Sequence, residues 1–216
     1  MSFKCSFTSH KLGNNYCIIN IMALIAIIIF SLTALIGRVV IHYKLTGTSG
    51  IKFERKSLSS TSFSIYSVLV SVGFYGIVIL SILDVLNKFN AQFNLGINGI
   101  ILGSIIVLLG LFITMVAQYQ MGTSWRYIGS KSNDTKLITH GLFKYSRNPI
   151  YVGGLIFFTG VIILLPDYLT ILFLIFIYAG LEILVRYQEE PHLKEVHGGI
   201  YEDYCNKVNR FIPKIF

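Results

Sequence analysis

The sequence predicts an all-α, polytopic integral membrane protein of about five transmembrane helices, with its N-terminus outside and its C-terminus in the cytoplasm. Composition is the first reason. Of 216 residues, 54% are hydrophobic and 13% charged, too apolar for an average soluble domain. Segment length is the second. Apolar runs at 18–41, 63–83, 97–116, 149–165 and 168–185 lie near the roughly 20 residues a helix needs to cross a bilayer. Strand-like alternation is absent, so helices must satisfy the backbone in lipid. Charge placement is the third. With five spans, 15 of the 18 Lys and Arg fall on one side, leaving Lys4, Lys11 and Lys88 on the other. That asymmetry sets the orientation and makes the net charge of +8 a matter of topology and anionic lipid; no nucleic-acid partner is expected.

Residues 1–17 read as a polar N-terminal segment, and 18–116 as three transmembrane helices. The first apolar run is too long for a signal peptide and lacks a small-residue cleavage site, which favours a retained anchor. Cys5 and Cys17 share the expected outer side and have the option to pair, while Cys205 faces a reducing compartment. No cysteine has a metal-ligand spacing, so no metal is expected. The loop KLTGTSGIKFERKSLSSTS reads as a basic connector. Gly73 and Gly76 in the second span, and Gly99, Gly103 and Gly110 in the third, suit close helix packing. They are not phosphate loops, since no strand precedes them and no lysine follows. After the third span, Gln118, Gln120, Trp125, Arg126 and Tyr127 lead into the polar linker GSKSNDTK. Trp125 beside Arg126 fits an interfacial anchor and, as the rival reading, a substrate mouth.

The stretch LITHGLFKYSRNPIY, Leu137 to Tyr151, carries the chemistry. Asn148 and Pro149 read as N-cap and first residue of the fourth helix. That helix start offers unpaired N–H groups and a partial positive charge, and Arg147 adds a full one, which together suit an anion. Pro166 and Asp167 force a tight turn, so the fifth helix should return beside the fourth. At 1.5 Å per residue, Asn148 lies about 27 Å from that turn and Glu189 about 32 Å, which brings Arg147 to nearly the depth of the Glu189–Glu190 pair. A zwitterion would satisfy both signs. Phe143, Tyr145, Tyr151, Tyr187, Tyr201 and Tyr204 offer aromatic faces for a sulfonium or ammonium group. S-adenosylmethionine meets these demands; a lipid headgroup does so less specifically. The plainer reading is a solvated helix end, with Arg186 three and four residues before Glu189 and Glu190 at ion-pair spacing. Glu182 lies inside an apolar run, where charge is expensive, and Arg186 is its expected partner.

A series of motifs then narrows the choice. His140-Gly141-x-Phe143 precedes Tyr145-x-Arg147-Asn148-Pro149-x-Tyr151-x-Gly153. The Glu189–Glu190 pair follows, then Gly198-x-x-Tyr201-x-x-Tyr204, then Val208-x-Arg210-x-Ile212-Pro213. This order resembles the isoprenylcysteine carboxyl methyltransferase family and its phospholipid N-methyltransferase relatives over roughly Leu137 to Pro213. The resemblance implies an S-adenosyl-L-methionine cofactor. It makes 117–216 a cofactor-binding catalytic region with a two-helix hairpin and a cytoplasmic tail. It implies cofactor contacts at Lys136, Leu137, Ile138, Phe143, Asn148, Pro149, Ile150, Tyr151 and Glu189, and makes Arg186 the nearest match to an arginine associated with the acceptor carboxylate; the two charged lips add Arg147 and Glu190 as candidate catalytic residues. Asn148 stands where the family more often has His, Phe143 where it has Tyr, and Arg186 one residue nearer the acidic pair than in the eukaryotic enzymes.

The acceptor stays open between prenylcysteine, a phospholipid and a small thiol. A carboxylate acceptor needs no base, whereas an amine or thiol must lose a proton. His140, His192 and His197 read as surface histidines, which leans toward O-methyl transfer. The cofactor is expected from the cytoplasm and a lipophilic acceptor laterally, between helices. The tail also resembles membrane sterol reductases that use NADPH, whose larger bundles 216 residues cannot build. A non-catalytic membrane scaffold is the third class. Abundant Ile, Lys and Asn favour a bacterial inner membrane over the endoplasmic reticulum.

Overall fold

The computed structural model describes residues 13–37, 39–40, 43–44, 47, 61–89, 91–93, 95–122 and 136–212, with side chains from residue 21 onward. Cys5, the Cys17 side chain, most of the basic connector, Trp125, Arg126 and the linker as far as Thr135 lie outside the described residues. Among those described there is no strand. Helix α1 (Gly13–Phe30) runs into a π-helical turn, Ser31–Gly37. Then come α2 (Thr61–Val85) and α3 (Gly96–Met121). A 3₁₀ turn, Gly141–Lys144, leads to α4 (Pro149–Leu164). Helix α5 (Tyr168–Leu184) continues through a second π turn, Val185–Glu189, into α6 (Glu190–His197), and α7 (Gly199–Lys207) ends the described helices.

Helices thus stand at all five expected apolar runs. Three are long and apolar enough to cross a membrane: Thr61–Val85, Gly96–Met121 and the continuous Tyr168–His197. The apolar parts of α1 and α4 are shorter. The chain is an integral membrane protein by this measure. Proline sets the length of α4, which begins on Pro149 and stops just before Pro166. Asp167 then starts α5 as a working N-cap, its Oδ1 accepting from the Leu169 N–H (2.8 Å). Its Oδ2 accepts from the Gln92 N–H (3.2 Å), which ties the α2–α3 loop to this turn.

The two arms of the α4–α5 hairpin touch each other less than they touch other helices. Helix α4 packs mainly on α3, and α5 mainly on α2. This corrects the expectation of a simple hairpin pair, and small residues explain it. A Cβ on Gly110 would fall 2.3 Å from the backbone N of Phe157, and one on Gly160 would fall 2.6 Å from that of Val107. Helices α3 and α4 therefore meet backbone to backbone, which the absence of side chains alone permits. On the other side, a Cβ on Gly73 would fall 2.6 Å from the carbonyl oxygen of Phe173 in α5. Aromatic rings fill the middle, with Phe30 of α1 stacked on Phe157 at 4.2 Å and Phe74 edge-on to Phe158 at 6.0 Å. Gln118, buried in α3, donates to the Ala34 carbonyl (2.8 Å) and so pins the π turn after α1.

Candidate active site

The site grows from the loop between α3 and α4. Gly141 has φ +61° and carries the Gln120 side chain against it, where a Cβ would fall 2.4 Å from the amide carbon. Only glycine accepts both the conformation and the approach. Gln120 Oε1 then accepts from the Leu142 N–H (2.8 Å) and fixes the 3₁₀ turn to the end of α3. The turn buries Phe143, whose carbonyl accepts from the Tyr204 hydroxyl (2.6 Å). Burial pushes the Tyr204 phenol up to about 12 and raises that of Tyr201 as well. Both rings belong to a small apolar cluster with Val208, on which Leu137 packs. Both are buried, and of the two only Tyr201 also lines the cleft described below.

Asn148 occupies the N-cap position and Pro149 the first turn, as expected, but the Asn148 side chain makes no cap bond. Its Nδ2 instead donates to the Arg210 carbonyl (3.1 Å), to which the Ser146 hydroxyl also donates (3.0 Å). The Arg147 N–H donates to the Asn209 carbonyl (3.0 Å). The C-terminal segment is therefore buckled across the start of α4.

Charges meet above this buckle. The Tyr151 hydroxyl donates to Glu189 Oε1 at 2.5 Å, and Arg147 Nη2 pairs with Glu190 Oε1 at 2.9 Å. The two arms therefore do end at one level, and the positive and negative lips touch. Arg210 grips Glu190 with two parallel bonds, Nε to Oε1 (2.8 Å) and Nη2 to Oε2 (2.7 Å), the strong fork geometry of guanidinium and carboxylate. Its Nη1 reaches Glu182 at 2.5 Å. Glu182 also pairs with Arg186 at 2.9 Å, the partner expected for it. Hydrogen bonding to Glu190 holds the Arg210 guanidinium above its ordinary value. Arg147 Nη1 also contacts Cys205 Sγ, and its Nε is buried without a hydrogen-bond partner among the described residues.

The π turn explains why Arg186 does not pair forward with Glu189 or Glu190. The Glu190 N–H donates to the Val185 carbonyl, five residues back. This widened turn rotates everything after it relative to Arg186, and such turns concentrate at functional sites. Of the other expected contacts, Lys136 is exposed, Ile138 and Ile150 are half-buried, and Pro149 is buried. An open cleft of about 520 Å³ adjoins the cluster, lined by Arg186, Glu190, Lys194, Tyr201, Cys205 and Asn206 among others. Sequence reasoning assigns no role to Arg210, Ser146 or Gln120. Arg210 stands in the tail motif, which was its one signal.

The charges separate cleanly. Three guanidiniums, Arg147, Arg186 and Arg210, share two carboxylates, Glu182 and Glu190. One positive charge is left over. Glu189 faces a neutral phenol, and no Lys or Arg pairs with it among the described residues. Neighbouring charges of opposite sign, each incompletely matched, suit a ligand that carries both.

A family model described as phospholipid methyltransferase matches residues 98–199. The protein-S-isoprenylcysteine O-methyltransferase of Schizosaccharomyces pombe is 36% identical over 110 residues, which is 50% of this chain and 46% of that protein. That of Saccharomyces cerevisiae is 31% identical over 118 residues, 53% of this chain and 49% of that protein. The chain spans about half the length of these curated relatives. A solved structure of a eukaryotic intramembrane Ras methyltransferase, isoprenylcysteine carboxyl methyltransferase, is similar at 22% identity and TM-score 0.49, covering 94% of this chain and 75% of that one. Over 98–199, from α3 through Arg147, Tyr151, Glu189 and Glu190, the chain is thus similar to the phospholipid methyltransferase family and to relatives named isoprenylcysteine O-methyltransferases.

Proposed function

We propose that this chain is an integral membrane methyltransferase that uses S-adenosyl-L-methionine, resembles isoprenylcysteine carboxyl O-methyltransferase in its reaction, and acts on a lipophilic or small acceptor. The observation that carries this reading is the unmatched Glu189, bonded to Tyr151, one residue from a Glu190 that two arginines saturate. The residues present fit the cofactor's amino-acid end. Arg147 keeps a buried Nε without a partner among the described residues, a donor suited to a carboxylate. Glu189 supplies the anion suited to an ammonium group. When bound, the cofactor supplies an electrophilic methyl group on sulfur.

The chain's own work is then alignment and charge. Tyr151 orients the Glu189 carboxylate, and the buckle through Ser146 and Asn148 fixes the start of α4 beside it. Methyl transfer is an in-line displacement, in which holding donor and acceptor together supplies much of the rate. Arg186, exposed at the cleft with Glu182 its partner at 2.9 Å, is the cation we assign to an acceptor carboxylate. Such an acceptor is ionised at neutral pH and needs no base, which is why O-methylation leads. The phospholipid methyltransferase description of the family model favours a second reading, N-methylation of a phospholipid amine. In both readings the chain crosses the membrane five times, its charged end faces the cytoplasm, and the acceptor arrives laterally.

Incubating membranes that contain the protein with a labelled methyl donor tests this directly. Label in a prenylcysteine ester supports the first reading, and label in phospholipid the second. Absence of transfer to lipid, prenylcysteine or thiol, together with no binding of S-adenosylhomocysteine to the purified protein, would overturn both.

A further inference from the structure

Arg210 lies outside the family-matched stretch 98–199, yet it is the most connected cation in the cluster. Its three guanidinium nitrogens contact Glu190 twice and Glu182 once. Each carboxylate also touches a second arginine, Glu190 with Arg147 and Glu182 with Arg186, both at 2.9 Å. Arg210 therefore competes with Arg147 for Glu190 and with Arg186 for Glu182. The outcome of that competition fixes how much positive charge the other two can offer to a ligand.

We propose that Arg210 is a positioning residue which, by occupying Glu190 and Glu182, keeps Arg147 and Arg186 available to an anionic group. Without its side chain, Glu190 relaxes fully onto Arg147 and Glu182 onto Arg186. Two carboxylates then neutralise two guanidiniums, and with Glu189 beside them the cluster turns net negative. Affinity for a carboxylate-bearing ligand falls although no ligand contact has been removed. The tail stays in place meanwhile, because the backbone carbonyl of residue 210, not its side chain, accepts from Ser146 and Asn148 (3.0 and 3.1 Å). This role rests on the reading of the site as one for S-adenosylmethionine.

The test is a calorimetric titration of the full chain, in lipid nanodiscs, with S-adenosylhomocysteine. Arg210→Gln should bind about tenfold more weakly, the effect of one half-screened charge interaction. Adding Glu182→Gln removes the carboxylate that Arg210 released, and the double variant should return to within about threefold of the unaltered protein. A residue that merely braces the fold would not be rescued by deleting its partner. A double variant no tighter than Arg210→Gln, or an Arg210→Gln that binds normally, overturns the proposal.

Should Arg210→Gln fail to fold, Glu182→Gln alone decides. Charge balance requires it to bind at least as tightly as the unaltered protein, and weaker binding overturns the proposal. An unaltered protein that binds no S-adenosylhomocysteine defeats the functional reading and this role with it. Failure of rescue alone defeats only the role of Arg210.

Discussion

Helix α4 meets α3 through bare glycines within the bundle, and meets α5 at its charged end through arginines, carboxylates and a tyrosine. The first contact is backbone against backbone: Gly110 and Gly160 leave no room for a single added carbon before Phe157 N or Val107 N. The second is long side chains reaching across: Arg147 to Glu190, and Tyr151 to Glu189. In lipid, helices gain nothing from hiding apolar surface from one another, so close packing must hold them. At the charged end that rule lapses, and direction and sign take over. The contrast explains how one helix pair can be closely packed while its neighbour carries the charged groups that we propose meet a ligand.

Breaking the close contact should give the largest effect. In Gly110→Leu the new Cβ meets Phe157 N at 2.3 Å and the Gly153 carbonyl at 2.7 Å, all backbone atoms that cannot turn aside. We expect a loss of about 3 kcal/mol, at the upper end of overpacking costs, read as a collapse of the thermal unfolding midpoint in detergent. Gly154→Ala, on the facing helix α4, is the control, since its Cβ comes only to 3.7 Å from the Phe30 ring. It should stay within about 0.5 kcal/mol. Equal losses in both would mean that helix propensity, not close approach, is what these glycines serve.

At the charged end the effects should move affinity more than stability. Glu189→Ala is expected to weaken S-adenosylhomocysteine binding roughly 30-fold, the size of one charge-assisted hydrogen bond. Tyr151→Phe removes the neutral donor to Glu189 Oε1 and should cost about fivefold. Unchanged affinity in Glu189→Ala would take this carboxylate out of the site and break the contrast with the bundle.

The two regions were also unequally legible in the sequence. Apolar runs and small-residue spacings report directly on helices and on their faces, because both are local and periodic. Which helix takes which partner is not local, and the expected α4–α5 pairing gave way to α3–α4 and α2–α5. Counting rise per residue placed Arg147 near Glu190 because both arms start from the same turn at Pro166–Asp167. The rest depended on features without a sequence period. The π turn at Val185–Glu189 turns Glu189 and Glu190 away from Arg186. The tail brings Arg210 back across 62 residues to Asn148. Tyr201 and Tyr204, read as aromatic faces for a cation, turned inward because Leu137 and Val208 offer an apolar bed.

Tyr204 gives a smaller and sharper test of that inward turn. Tyr204→Phe leaves the Phe143 carbonyl without its 2.6 Å donor and should cost about 1 kcal/mol. A phenol whose folded value is raised from 10.0 to about 12 stabilises the fold fully below pH 10, and this contribution fades as pH rises toward 12. The unaltered protein should therefore lose stability between pH 10 and 12 more steeply than Tyr204→Phe. Parallel profiles would mean that this hydroxyl is not buried in the way its contact with Phe143 requires.

Lys194 should matter least, and for that reason it discriminates between the two parts of the charged end. Its 2.6 Å pair with Glu202 is exposed on both sides, and pairs of that kind rarely contribute measurable stability. Lys194→Ala should leave the unfolding midpoint where it is. Yet Lys194 lines the 520 Å³ cleft together with Arg186 and Glu190, whereas Tyr151 and Glu189 do not. If Lys194→Ala weakens S-adenosylhomocysteine binding as much as Glu189→Ala does, the anionic end of the ligand lies in the cleft under α6 and α7. If it leaves affinity unchanged, that end sits at Arg147, and the cleft is left for the acceptor that we assign to Arg186.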